Sequence, residues 1–252
     1  MRSNNQRLHR ILNVDHFMEM IRNKELHFVR PQVWQDEYEG LVFQLIKTPA
    51  GSRHVLDLIK SIPGKQMIGD LFYSLALKFE KRFFCQSWTY SPISKKMWED
   101  YSHEGQAVGF EINQSDVNLL DRVTTMNIKY HFNEYININN ELGRILSAEN
   151  QIDWQEAFRV KRKRYEHEKE VRLVYDKHEL SLENGGNLDP NLEMILDQCF
   201  EPGVHRHPNY IKINYSKISN FIKVAYPHPK MNTKDKISLK DFCRRNGIKF
   251  QT

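Results

Sequence analysis

The chain has 252 residues, 40% hydrophobic and 12% aromatic, with a net charge of +5. Such a composition excludes a disordered chain, and the length suits one large folded domain or two small ones. No apolar run approaches the ~18 residues of a membrane span, and the polar stretch from Met1 to Arg7 predicts no signal peptide, so a cytoplasmic protein is expected. Cys85, Cys199 and Cys243 lack the spacing of a metal or disulfide framework and read as reduced thiols. The moderate positive charge is compatible with phosphate-bearing partners without demanding nucleic acid.

Leu8–Leu12 predicts a strand, Asn13 a helix cap over Val14–Arg22, and Leu26–Val29 a second strand stopped by Pro31. The aromatic-acidic turn Trp34–Glu39 opens a predicted helix over Glu39–Lys47. Further helices are expected over His54–Ser61 and Met67–Glu80, the latter with an apolar stripe from Ile68 to Phe79. Arg82–Trp88 reads as a buried strand, Ser94–His103 as a helix, and Gln106–Ile112 and Val123–Tyr130 as strands. Helices are predicted over Glu134–Ala148, Asp153–Arg162, Leu192–Cys199 and Ser238–Arg245. The remaining strands are Tyr210–Ile213, Ile218–Val224 and Ile248–Phe250, and Gly185-Gly186 with Asp189-Pro190 marks a loop. His205 and His207 lack placed carboxylate or thiol partners and make a poor zinc set. With no repeat and no long linker, residues 1–252 are expected to form a single α+β domain, helical insertions surrounding a central mixed or split β-sheet.

Tyr165 to Tyr175 concentrates charge. If the strand reaches back to Glu166, period two puts Glu166, Glu168, Glu170 and Arg172 on one face, where Arg172 can hold a glutamate in place. The basic run Lys161-Arg162-Lys163-Arg164 immediately precedes it.

Three motif groups carry a resemblance. The first is Leu26–Pro31 followed by Trp34-x-Asp36-x-x-Glu39. The second is Phe84-Cys85-Gln86-Ser87, then Met97-Trp98-x-x-Tyr101, then Gly105-x-x-x-Gly109-Phe110-Glu111. The third is Lys163-x-Tyr165-x-x-Glu168-x-Glu170-x-Arg172. Their order resembles a bacterial family of unknown function with the pattern C-F-S, M-W-x-x-Y, E-x-E-x-R. Gln86 here replaces an aromatic residue, Tyr165 a tryptophan, and Gln35–Tyr38 a proline-containing turn. The layout also resembles, more distantly, the ADP-ribosyltransferases. That resemblance implies that His9 or Arg10 holds NAD, that Ser87 supports the nicotinamide side, and that Glu168-x-Glu170 supplies the catalytic carboxylates.

Breaking the nicotinamide–ribose bond builds positive charge on the sugar, which a carboxylate stabilises. Glu170 is the first candidate, oriented by Arg172, with Glu168 placed to accept a proton from the incoming nucleophile. Arg10 suits the pyrophosphate, and Trp98 or Tyr101 could stack on nicotinamide. Asp36, Glu39, Lys161, Arg162, Lys163 and Arg164 are expected to meet the acceptor, a nucleic acid or protein, with the basic run at the cleft rim. Such an enzyme would act as a toxin or anti-phage effector, with an antitoxin or defence-system partner. Two alternatives are a non-catalytic nucleotide- or partner-binding module and a Mg²⁺-dependent nucleic-acid-processing enzyme.

Overall fold

Strands form where β-branched, aliphatic and aromatic residues run together between Gly, Pro and Asn stops. The computed structural model describes residues 6–34, 36, 39–62, 82–102, 105–131, 138–146, 153–177 and 209–252. Within them β1 spans Arg7–Asn13, α1 Val14–Asn23, β2 Glu25–Val29, α2 Leu41–Leu45, α3 Pro49–Ser61 and β3 Phe83–Thr89. Then come α4 Lys95–Tyr101, β4 Ala107–Asn113, α5 Gln114–Val117, β5 Val123–Asn127, β6 Lys129–His131 and α6 Ile138–Ile145. The chain continues with β7 Val160–Arg162, β8 Glu170–Asp176, β9 Tyr210–Asn214, β10 Ile222–Pro227, α7 Thr233–Arg245 and β11 Lys249–Phe250.

Helix ends follow their capping residues. Asn13 Oδ1 accepts from the Asp15 amide at 2.9 Å, and Ser94 Oγ from the Met97 amide at 3.2 Å. Thr48 Oγ1 accepts from the Gly51 amide, with Pro49 at the first helical position. That cap starts α3 five residues before the expected His54. No described helix is long and apolar enough to cross a membrane.

The domain is mixed, with one large open sheet and several helices. Its main path runs β11-β10-β4-β1-β3-β2-β9, while β8 pairs with β3 and β5 with β8. Pairing is antiparallel except between β10 and β11. A separate parallel pair joins β6 and β7. Strand β3 is the pivot. On one edge it pairs with β8 along its whole length, from Phe83↔Asp176 to Thr89↔Glu170. On the other it meets β2 only at Val29↔Cys85 and β1 only at His9↔Thr89. Between those two bridges the sheet is split, and Gln86 spans the gap by donating from Nε2 to the His27 carbonyl at 2.9 Å.

Both faces of β3 and β8 are covered. Phe84, Trp88, Val171 and Leu173 enter one core with Leu8, Phe17 and Phe110. Phe83, Cys85 and Val174 enter a second with Val42, Phe43 and Phe158. Burial on both faces explains why these two strands read as near-continuous apolar runs. Cys85 and Cys243 are buried free thiols.

Several expected elements change. The helix expected over Asp153–Arg162 is a 3-10 turn, Trp154–Phe158, followed by strand β7. Arg159 closes that turn, and Val160 and Lys161 turn inward as strand residues instead of continuing a helical stripe. The strand expected from Glu166 begins only at Glu170, because Lys163–Glu168 is a 3-10 helix ended by Lys169 in the left-handed region, φ 43. Val123–Tyr130 divides into β5 and β6, which belong to different sheets. The Glu39–Lys47 helix shrinks to α2, and the Ile218–Val224 strand shifts to β10. The expected helices Met67–Glu80 and Leu192–Cys199, the 185–190 loop, Cys199, and His205 with His207 lie outside the described residues.

Glu141 of α6 is almost fully buried beside the second core, and neither carboxylate oxygen has a hydrogen-bond partner of good geometry among the described residues. Burial, opposed by Arg144, pushes its carboxyl up to about 8. A carboxyl raised on folding stabilises the protein below its unfolded value, and that contribution is lost as pH rises from about 4.5 through about 8. Glu141→Gln should therefore raise the melting temperature more at pH 8 than at pH 5. Equal shifts at the two pH values would show that Glu141 is ionised throughout.

Candidate functional site

The split between β1 and β3 opens into a cleft of about 190 Å³. Three successive residues of each strand line it, His9, Arg10, Ile11 and Ser87, Trp88, Thr89. Met97 and Tyr101 of α4 and the pair Glu168 and Glu170 complete it. Sheet register fixes the floor: Glu111 pairs with His9, His9 with Thr89, and Thr89 with Glu170. At about 5 Å per cross-strand step, His9 and Glu170 stand about 10 Å apart on either side of Thr89.

Ser87 lies directly opposite Arg172 in the β3–β8 ladder, on the same face as Glu170. Its hydroxyl donates to Glu170 Oε1 at 2.6 Å. Arg172 Nε donates to the same oxygen at 2.8 Å. Lys161 Nζ donates to Glu170 Oε2 at 2.8 Å and to Glu168 Oε2 at 2.6 Å, and lies 3.4 Å from Glu39 Oε1. Arg172 Nη2 lies 2.8 Å from Glu39 Oε2, an ion pair without good hydrogen-bond angles, and Nη1 donates to the Phe158 carbonyl. The Tyr130 hydroxyl accepts from the Glu170 amide at 2.6 Å. Three carboxylates thus face two cations, a net single negative charge when all are ionised.

These groups are buried, so their charges are strongly coupled. Burial alone would raise the Glu170 carboxyl, yet Arg172 and Lys161 outweigh it and hold it at about 2. Burial would discharge Lys161, but Glu170, Glu39 and Glu168 more than compensate and keep it protonated. Arg172 is raised in the same way by Glu170 and Glu39. Glu39 is raised by burial, which Arg172 and Lys161 only partly offset.

Glu168 reaches the cleft by a different route from the one its spacing suggests. It ends the 3-10 helix, and the left-handed Lys169 turns the chain so that Glu168 and Glu170 flank the Lys161 ammonium. The Tyr101 hydroxyl donates to Glu168 Oε1. Tyr101 is itself 50% exposed, at the mouth of the cleft.

Opposite, the Arg10 guanidinium carbon lies 5.8 Å from the Trp88 ring centroid. Its Nη1 is buried with no hydrogen-bond partner among the described residues. Burial lowers the group to about 9, so it is charged at neutral pH. A buried cationic donor with no acceptor is a feature that an anion would satisfy. His9 Nδ1 lies 3.3 Å from the Tyr226 hydroxyl and 3.7 Å from Glu111. Gly109 makes room for that tyrosine, since a Cβ there would meet the Tyr226 ring at 2.3 Å.

Other expected residues lie elsewhere. Trp98 packs edge-on to His228 and Tyr226, at 4.9 and 6.3 Å, and is not among the cleft-lining residues. Arg172 is fully buried under the cleft and stacks on Trp34 at 4.1 Å. Glu39 sits beneath with it, and Asp36 is engaged by Arg162 at 2.8 and 3.2 Å. The basic run does not form a rim. Lys161 is inside the charge cluster, Arg162 is taken by Asp36, Lys163 pairs with Glu166, and Arg164 lies on Tyr165. Lys161 is the central residue that sequence reasoning misplaced. No local pattern marked it, because Val160 and Lys161 are both buried in β7.

Comparison with protein-family profiles, curated proteins and solved structures returned no significant match.

Breaking a buried ion pair by removing one partner costs about 3–5 kcal/mol, because the other charge stays buried and unpaired. Lys161→Met should therefore destabilise the fold by about that amount in urea titration. Glu168→Gln in the Lys161→Met background should recover part of the loss. A loss of less than about 1 kcal/mol from Lys161→Met would mean that the cluster behaves as a surface pair.

Proposed function

We propose that the cleft binds NAD and that the protein transfers ADP-ribose from it to a macromolecular acceptor. The observation that carries this reading is convergence. His9, Arg10, Ser87, Glu168 and Glu170 come from three separate parts of the chain and line one cleft, where Ser87 fixes the Glu170 carboxylate. The cleft-lining residues carry both signs of charge that NAD needs, an Arg10 guanidinium with one unsatisfied nitrogen and a net-negative cluster at Glu168 and Glu170. The pyrophosphate matches Arg10, and the cationic nicotinamide–ribose matches the glutamates.

In this scheme the C1′–N bond breaks with its electron pair going to the nicotinamide nitrogen, and positive charge develops on the ribose. Glu170 accepts a hydrogen bond from the 2′-hydroxyl and stabilises that charge. Ser87, Arg172 and Lys161 hold its carboxylate ionised and in one orientation. The acceptor then bonds to C1′ and passes its proton to Glu168, displacing the Tyr101 hydroxyl from Oε1.

One observation favours a second reading. Every oxygen of Glu168 and Glu170 already has a protein partner, as in a rigid, non-catalytic nucleotide-binding module. Nicotinamide release separates the two. Wild-type protein should release nicotinamide from NAD, and Glu170→Gln should lower the rate by at least about 10³-fold while its melting curve still shows a cooperative fold. NAD binding without nicotinamide release would establish the binding module instead.

A further inference from the structure

The net charge of the chain is concentrated at one end of the sequence. Residues 228–252 hold seven lysines and arginines against two aspartates, which equals the +5 of the whole chain. Residues 1–227 carry the two signs in equal number. Most of this excess lies on α7, as Lys234, Lys236, Lys240, Arg244 and Arg245.

The two aspartates do little to neutralise it. Asp235 is bound into the helix cap by Asn232, at 2.7 and 2.9 Å. Asp241 pairs with Arg244 at 3.3 Å, although the Arg244 side chain remains 79% exposed. Lys234, Lys236 and Lys240 have no ion-pair partner among the described residues. The helix itself gains nothing from most of these charges. Arg244 and Arg245 favour the negative end of the dipole, but Lys234 sits in the first turn, at the wrong end. Lys236, Lys240 and Arg244 repeat at i, i+4, where like charges repel. The helix is held instead by Leu239, Phe242 and Cys243 in the core.

We propose that the outer face of α7 is a docking surface for the sugar–phosphate backbone of a nucleic acid. Lysines spaced along a helix neutralise phosphates without reading sequence. A membrane surface fits less well. An interfacial helix needs its apolar face for lipid, whereas here that face is buried in the protein and Ile237 is the exposed hydrophobic residue of the helix. The helix packs on the core that Leu8 and Phe110 enter, and none of its residues lines the cleft, so docking there is separable from chemistry in the cleft.

The test is fluorescence anisotropy with a labelled single-stranded oligonucleotide of about 20 residues, titrated across salt concentrations from ~50 mM upward. Wild-type protein should bind with a dissociation constant of about 1–100 µM and a steep inverse salt dependence. The exposed triple variant Lys234→Glu, Lys240→Glu, Arg244→Glu should bind at least about tenfold more weakly, with a salt slope lower by about 2–3. Its melting curve and NAD turnover should match wild type. Lys163→Glu with Arg164→Glu, in the basic run, should leave binding unchanged. Undiminished binding by the triple variant would overturn the proposal. So would wild-type binding to phosphatidylserine vesicles but not to the oligonucleotide. Because oligonucleotide binding is read without NAD, a failure here leaves the cleft reading standing, and a failure of turnover leaves this one.

Discussion

The Lys161 ammonium, held between Glu168 and Glu170, is the interaction on which the site depends. Taking an ion out of water costs several kcal/mol even after relaxation. The protein meets that cost by burying charges as a group. Lys161 and Arg172 share Glu170 and Glu39, and Ser87, Tyr130 and the Phe158 carbonyl occupy remaining hydrogen-bonding positions. The β3–β8 register sets Ser87 opposite Arg172, and the left-handed turn at Lys169 brings Glu168 back to the same ammonium. A shift of one residue in that register would send Arg172 into the opposite apolar core.

The same cluster also shapes the cleft electrostatically. Its carboxylates outnumber its cations by one, and they face a strand whose Arg10 has an unsatisfied nitrogen. The division of charge across a split sheet follows from topology. Strand β3 has a full partner on one edge and only two single-residue bridges on the other. A cleft opens where the ladder is interrupted, and the residues at its edges come from β1, β3 and the start of β8.

Period-two patterning made Glu170 and Arg172 legible, because β8 begins at Glu170 and alternates as expected. The cap at Asn13 was legible because a short polar side chain there precedes an apolar-periodic run. Glu168 was chosen by extending that alternation backward, and it reaches the site although the backbone there is a 3-10 helix. Lys161 was hidden. In a run of four basic residues nothing local distinguishes the one that turns inward, since the choice depends on β7 pairing with β6 and on carboxylates from three distant segments. Trp98 kept the helical spacing that signals a packed ring, and His228 and Tyr226 are the partners it packs against. The charge on α7 was countable in the sequence, but its lack of partners required the fold.

The most direct test of the account is a crystal structure of the protein with a non-cleavable carbocyclic NAD analogue. The account predicts the ring that replaces the nicotinamide ribose over Glu170, with its 2′-hydroxyl about 2.6–3.2 Å from the carboxylate and the pyrophosphate against Arg10. An analogue bound away from the β1–β3 split, or bound there with its pyrophosphate turned from Arg10, would contradict it.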